Sequence, residues 1–445
     1  MSGAEEPPFP LGVPTACFIH LDDGPNPSAT AATDTGGGKV AIDGRPYEVD
    51  RVFDSRLDKD NEVFQEMLQV TSEDSHRPVP LTTFVEDAVS VCIIVTGTSL
   101  SGKRLLYQGS DDADEELGML GWVFDPVFQL LRDKAFGMQV WLGFYEFEVE
   151  IEFYEIFDEM ITDLLRPDNQ DLQVRLHPLK GFEVEGMSKA VITNPNDGRR
   201  AIQAGRRNRR AQVLPNGPTQ ESASAVLRMY LTQREGESAE QYTHLQSLIF
   251  LVETPSTHKL VSSPDDLRLT QGPTLNRSLL ALKEVCKALA SESQIRFAPF
   301  GEGKLTEVLQ GSLGGNAIVL CIACLSRSDL VKVNTATMAV VQNLQGAMHY
   351  PVANTELIQG LVMKYRFMLA NSIEGKGGAG GRAGGGGGAD AAANFQRMRA
   401  LEGQLLQAKM DSNESKEDAA KVYKMLELFK AKYVKLVETK ASQSR

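Results

Sequence analysis

Two kinds of apolar pattern take turns along this chain. Ser90–Thr96 (SVCIIVT) is a short, nearly continuous apolar run, which predicts a strand buried on both faces. Leu248–Val252 (LIFLV) and Ala317–Cys324 (AIVLCIAC) are further runs of that kind. From Val140 to Phe153 the pattern alternates, through Val149, Ile151 and Phe153, and Ile161–Leu165 then reads as helical. Asn276–Ala290 puts Leu279, Leu282, Cys286 and Leu289 on one stripe of an amphipathic helix. Strand-like and helix-like segments in alternation predict an α/β fold, a central and mostly parallel sheet with helices on both faces.

The pattern breaks once. From Gly375 to Gly388 ten of fourteen residues are glycine, a composition suited only to a flexible linker. Beyond it, Met398, Leu401, Leu405, Ala408, Ser412, Ser415, Ala419, Val422, Leu426, Phe429, Tyr433 and Leu436 keep one heptad frame. Its ends are apolar and its middle, Asp411–Asp418, is polar, which predicts a coiled-coil helix with a weak centre. The organisation expected is a disordered start at 1–14, a large body at 15–354, a helical extension at 355–373, a linker at 374–393 and a basic coiled-coil helix at 394–445. There is no internal repeat.

Charge sharpens this division. Over 445 residues, 46 Lys and Arg face 59 Asp and Glu, a net charge of −13. Residues 394–445 hold eleven basic and seven acidic side chains, so that segment is +4 and the remainder −17. An acidic body argues against a general nucleic-acid binder, despite the cluster Arg199, Arg200, Arg206, Arg207, Arg209 and Arg210. No apolar run reaches the roughly 18 residues of a membrane span, and Met1–Pro14 has no signal-peptide pattern. The five cysteines are scattered and follow no disulfide framework, so the reading is a soluble, intracellular chain with reduced thiols. Cys321 and Cys324 form C-x-x-C within a strand, where they face opposite sides and serve packing. His177 and His258 have no companions at metal-ligand spacing, so no metal site is expected.

One motif carries chemistry. The strand at Ser90–Thr96 runs into Gly97-Thr98-Ser99-Leu100-Ser101-Gly102-Lys103-Arg104. In a G-x-x-x-x-G-K-[ST] loop, backbone N–H groups cradle phosphates, the lysine holds the outer phosphates, and the following hydroxyl binds Mg²⁺. Gly97, Gly102 and Lys103 suit the first two tasks, whereas Arg104 is a cation where the metal-binding hydroxyl belongs. A turn kept for its shape alone accounts for the same residues.

Other motifs extend the pattern. They are Tyr47-Glu-Val-Asp-Arg-Val-Phe-Asp54, Glu155-Ile-Phe-Asp-Glu159 with Asp163-Leu-Leu165, and Gly205-Arg-Arg-Asn-Arg209. Leu275-Asn-Arg-Ser-Leu-Leu-Ala-Leu282 follows, then Lys304-Leu-Thr306 with Leu309-Gln-Gly-Ser-Leu-Gly-Gly-Asn316. In this order they resemble the kinesin motor head, from about Thr15 to Asn354. The resemblance implies a P-loop NTPase head, an ATP site and a microtubule-binding face.

It also locates the departures. Where the family carries the switch I serines and arginine, this chain has Ser222 for the arginine and Ala223 for the second metal-side serine. The family's D-L-A-G-S-E becomes Glu253-Thr-Pro-Ser-Thr-His258, with Ser256 for the pivoting glycine and His258 for the bridging glutamate. On the filament face Arg277 and Lys304 keep basic positions, but Pro299-Phe-Gly-Glu302 lacks the family's arginine.

These departures imply a head without an ATPase cycle: a non-motile structural or adaptor protein of a microtubule assembly, in the cytoplasm and cytoskeleton. A fixed axonemal lattice in a cilium suits such a head by analogy. It would hold ATP or ADP without Mg²⁺, Arg104 taking the place of the metal, or hold no nucleotide. Its partners would be tubulin, other microtubule-associated proteins and a coiled-coil mate, with no membrane and no nucleic acid. Two alternatives stand beside this reading, an active or slow ATP-dependent motor and a regulatory partner of a competent motor chain.

Overall fold

The computed structural model describes residues 15–20, 32–34, 38–54, 63–64, 80–98, 101–110, 117–140, 143–177, 181–211, 223–239, 241–257, 277–290, 298–313, 315–326, 331–347, 349, 351 and 353–354. The regions expected at 1–14, 355–373, 374–393 and 394–445 lie outside these residues, as do Ser99, Leu100, Ser222 and His258.

A nine-stranded sheet crosses the molecule. The strands are β1 (Thr15–His20), β2 (Ala32–Asp34), β3 (Lys39–Ile42), β4 (Arg45–Glu48), β5 (Arg51–Asp54), β6 (Val91–Gly97), β7 (Phe144–Phe157), β8 (Met160–Asp163), β9 (Val174–His177), β10 (Gly181–Val184), β11 (Ala190–Ile192), β12 (Ser224–Ser238), β13 (Gln241–Glu253) and β14 (Ile318–Ser326). The helices are α1 (Pro80–Glu86), α2 (Lys103–Gln108), α3 (Gly118–Trp122), α4 (Phe124–Val140), α5 (Pro195–Ala211), α6 (Arg277–Leu289), α7 (Lys304–Leu309) and α8 (Val331–Gln345). In the sheet the order is β11-β7-β12-β13-β6-β14-β1-β5, with β8 beside β7.

The fold is α/β as expected, but parallel pairing is confined to one half. From β13 through β6, β14 and β1 to β5 neighbours run parallel, and β11, β7, β8, β12 and β13 pair antiparallel. The apolar runs explain the parallel half, since every residue of β6 and β14 is buried. Alternate residues feed two cores. Ile93, Val95, Leu320 and Cys324 pack against α1–α5, while Cys92, Ile94, Val319 and Cys321 pack against α6–α8. Cys321 and Cys324 therefore face opposite sides of the sheet.

Ile161–Leu165 is not helical. Asp158 and Glu159 take positive φ values, 47° and 62°, and make a two-residue turn that folds β8 back on β7, pairing Ile156 with Ile161. The Asp163 carboxylate then accepts from the backbone N–H groups of Leu165, Arg166 and Ser188, which supplies local bonds without a helix. Glu159 ties the turn to the opposite layer, accepting from Ser278 Oγ at 3.0 Å and from the Lys304 N–H at 2.7 Å.

The chain leaves the described fold at Asn354, which four hydrogen bonds hold. Its N–H donates to Ala88 O at 3.0 Å, and its carbonyl accepts from Gln246 N at 3.0 Å. Its side chain accepts from Asn316 Nδ2 at 2.6 Å and donates to Ser90 Oγ at 3.0 Å. Asn354→Ala removes the two side-chain bonds at a buried site, so stability falls by about 1–3 kcal/mol, read from the urea midpoint. Asn354→Asp keeps only the acceptor and loses less.

Candidate nucleotide site

Strand β6 ends at Gly97 beneath β14. A Cβ there would stand 2.4 Å from Cys324 O and 2.7 Å from Ser101 Oγ, so only glycine fits this close approach. Ser101 Oγ donates to Thr98 O at 2.8 Å and closes the turn. Gly102, at φ 70° in the left-handed region, then opens α2. Thr98 Oγ1 is buried with no hydrogen-bond partner among the described residues, a polar group turned inward at the loop.

Lys103 is buried at 3% exposure, and its ammonium donates to Thr254 O at 2.6 Å. Thr254 follows the acid at the end of β13. It also bonds Thr96 Oγ1 at 3.0 Å and donates its N–H to Val95 O at 3.0 Å. The segment that resembles switch II is thereby stitched to β6 and to the loop lysine. Ser256 and Thr257 are buried, and Thr257 Oγ1 lies 2.7 Å from Thr337 Oγ1 of α8.

Behind the loop lies the strongest electrostatic feature of the head. The Arg209 side chain, on α5 and 1% exposed, donates from one terminal nitrogen to Glu253 Oε2 at 2.9 Å and to Gln108 Oε1 at 2.8 Å. Its Nε reaches Glu155 Oε1 at 3.4 Å. One cation thus gathers the C-terminal ends of β13, α2 and β7. Burial alone would disfavour the charged guanidinium, but Glu253 and Glu155 hold its pKa above the ordinary value. For Glu155 burial pushes the carboxyl up, and Arg209, then Arg104, pull it back. Arg209 is thus the common partner of both carboxylates.

Magnesium does not fit these residues. The position after the lysine is Arg104, Ala223 is a buried side chain without a hydroxyl, and Glu253 is engaged by Arg209. Among the described residues no group of three His, Cys, Asp or Glu side chains is placed to hold a metal ion. Recruiting Glu253 to a cation would strand Arg209, and breaking such a buried pair costs about 3–5 kcal/mol.

The loop residues Gly97, Thr98, Ser101, Gly102, Lys103 and Arg104 and the downstream Glu253 and Ser256 converge here. Arg209, Gln108 and Thr254 were not among the residues singled out for the site. For Arg209 a signal existed: Ile202, Gly205, Arg206 and Arg209 are buried at i, i+3, i+4 and i+7 of α5, a charge on a core stripe. Three further arginines of the basic cluster are engaged at home as well. Arg199 pairs with Asp125 at 2.5 Å, Arg200 with Asp197, and Arg206 bonds Ser110 O at 2.5 Å.

Across the sheet, the two basic residues assigned to the filament face lie close together. Arg277 Nε donates to Glu302 O at 2.8 Å, and Lys304, two residues further, pairs with Glu307 at 3.1 Å. Leu280, 46% exposed on α6, is an apolar residue on the same helix.

A family profile, the kinesin motor domain, matches residues 29–341. Similar proteins include the kinesin-like protein KIF1A of Rattus norvegicus, 28% identical over 257 residues, which are 55% of this chain and 15% of that protein. The chromosome-associated kinesin KIF4A of Homo sapiens is 26% identical over 292 residues, 64% of this chain and 22% of that one. The chain therefore spans under a quarter of either relative. Among solved structures, a fast kinesin superposes with TM-score 0.65 at 20% identity, covering 77% of this chain and 94% of that one. A KIF14 dimer with AMP-PNP on a microtubule gives TM-score 0.64 at 22% identity, covering 80% and 100%.

Arg209→Met leaves Glu253 and Glu155 buried without their cation, so it lowers stability by about 3–5 kcal/mol, measured by urea unfolding. Arg209→Lys keeps the charge, loses the fork geometry and falls between wild type and methionine.

Proposed function

The chain belongs to the kinesin motor-domain family, and from that premise we propose that it is a head that has left the ATPase cycle and serves as a non-motile structural or adaptor component of a microtubule assembly. The family is one of microtubule-associated, nucleotide-binding motors, and most of its members hydrolyse ATP. The observation that carries our reading is the state of Glu253. The acid that would serve the metal and the attacking water is buried against Arg209 at 2.9 Å, while Arg104 and Ala223 provide no hydroxyl ligand.

Phosphoryl transfer is catalysed almost wholly by positioning and charge neutralisation, with the metal and a placed water as main terms. A site without metal ligands keeps only the binding part of that chemistry. The glycine-bounded loop and Lys103 suit the phosphates of ATP or ADP, and Arg104 supplies in place of Mg²⁺ a fixed positive charge that needs no coordination. The electrostatic pull of Arg104 on the Glu155 carboxyl supports its position beside this cluster. Phosphate must compete with Thr254 O for Lys103, so occupancy couples to the segment after β13.

On the filament side, Arg277, Lys304 and the exposed Leu280 form the contact face of this reading. A head of net negative charge meets acidic tubulin with little long-range attraction, which favours slow, fixed docking over rapid stepping. A fixed axonemal lattice would suit such a component. The rival reading, a slow motor, draws on the intact Gly102-Lys103 pair.

One pair of measurements separates the two. Co-sedimentation should show the protein pelleting with microtubules with no effect of ATP, and without turnover above background. A fluorescent ADP analogue should bind within about twofold the same in EDTA and in Mg²⁺, and Arg104→Thr should weaken the EDTA affinity about tenfold, some 1.4 kcal/mol. Microtubule-stimulated hydrolysis that requires Mg²⁺ would instead establish the motor.

A further inference from the structure

The three longest strands outrun the layers that cover them. On the α6–α8 side of the sheet, β7, β12 and β13 form transverse rows: Tyr154 with Val226 and Val252, Glu152 with Arg228 and Phe250, and Glu150 with Tyr230 and Leu248. Three more rows follow, Glu148 with Thr232 and Gln246, Glu146 with Arg234 and His244, and Phe144 with Gly236 and Tyr242. The first two rows are buried. In the last three, Glu146 is 58% exposed, Arg234 48% and Tyr242 45%. This platform is held in shape by Phe144 and Tyr242, whose ring centroids are 6.0 Å apart, and by Arg234 over the Tyr242 ring at 5.9 Å.

Its chemistry is a column of carboxylates beside two aromatic rings. Glu146, Glu148 and Glu150 repeat at every second residue of β7, about 7 Å apart at the usual strand rise. Glu146 and Glu150 have counterions at the surface, Arg234 at 3.4 Å and Lys189 at 3.3 Å, and such exposed pairs exchange readily. Glu148 is exposed and makes no ion pair among the described residues.

The matching surface lies in this chain's own sequence. Read as the helix its heptads predict, residues 420–440 put Lys421, Lys424, Lys432 and Lys435 within roughly 80° of one another, next to the stripe of Val422, Leu426, Phe429, Tyr433 and Leu436. Lys424 to Lys435 spans about 17 Å of helix, against about 14 Å from Glu146 to Glu150. The end of the described fold also lies at the platform, because the Asn354 carbonyl is bonded to Gln246 N in the Glu148 row. The glycine stretch between the two parts spans about 20 Å by random-coil statistics, enough to bring them together.

We infer that the basic segment 394–445 docks on this platform of its own head, its lysine stripe along Glu146, Glu148 and Glu150 and its apolar stripe over Phe144 and Tyr242. The platform is then the head's attachment site for its C-terminal segment, distinct from the filament face and independent of whether nucleotide is turned over.

The test uses the full chain, mixed equally from normal and isotope-labelled protein, with a zero-length carbodiimide cross-linker and mass spectrometry. The expected products join Lys424, Lys432 or Lys435 to Glu146, Glu148 or Glu150 within one chain, with no mixed-isotope links. Glu148→Lys, at an exposed position, should lower their yield more than about fivefold with an unchanged thermal melt, and high salt should do likewise. Adding Lys424→Glu and Lys432→Glu to the Glu148→Lys chain restores attraction and should return links, now from the amine introduced on β7 to the carboxylates introduced in the tail. Tail lysines that never link to β7, links solely between different chains, or a yield indifferent to Glu148→Lys would each overturn the assignment.

Discussion

A single buried arginine sets the terms for the nucleotide end of this head. Arg209 brings together Glu253 at the end of β13, Glu155 in β7 and Gln108 at the end of α2, at distances of 2.9, 3.4 and 2.8 Å. None of the four side chains has appreciable access to water, so the charges must satisfy one another. Once they do, Glu253 cannot also serve a metal or a water without undoing the cluster. The burial of the acid and the poor fit of these residues to magnesium thus have one physical origin.

That arrangement also explains why the substitutions in the loop and switch segments form a consistent set. With Glu253 held by Arg209, the residue after Lys103 is the cation Arg104 and the buried Ala223 carries no hydroxyl. Lys103 is engaged in the same way, its ammonium donating at 2.6 Å to Thr254 O in the segment after β13.

The parallel core was legible because β6 and β14 bury both faces, which forces the continuous apolar runs VCIIVTG and IVLCIACLS. The phosphate loop was legible because Gly97 and Gly102 occupy places where backbone geometry leaves no choice. Ile161–Leu165 was misread since Ile161, Leu164 and Leu165 imitate helical spacing. The decision lay in two non-glycine residues in the left-handed region, Asp158 and Glu159, the second of them bonded to α6 and α7. Arg209 was hidden for another reason: a run of arginines suggests a solvated face, and only the burial of Ile202 and Gly205 on the same stripe separates it from Arg207.

The two halves of the sheet divide the labour in a way their pairing explains. Parallel strands need crossovers, so β6 and β14 are covered on both faces. Antiparallel β12 and β13 are joined by a hairpin and can lengthen without a further helix, so their rows pass from apolar to charged within one face. Extra length there adds surface without disturbing the core, and Glu146 and Glu148, beyond the pairing with β11, put charge on the open edge of β7. The same carboxylates make the platform selective for a basic amphipathic partner, and the chain carries one within reach.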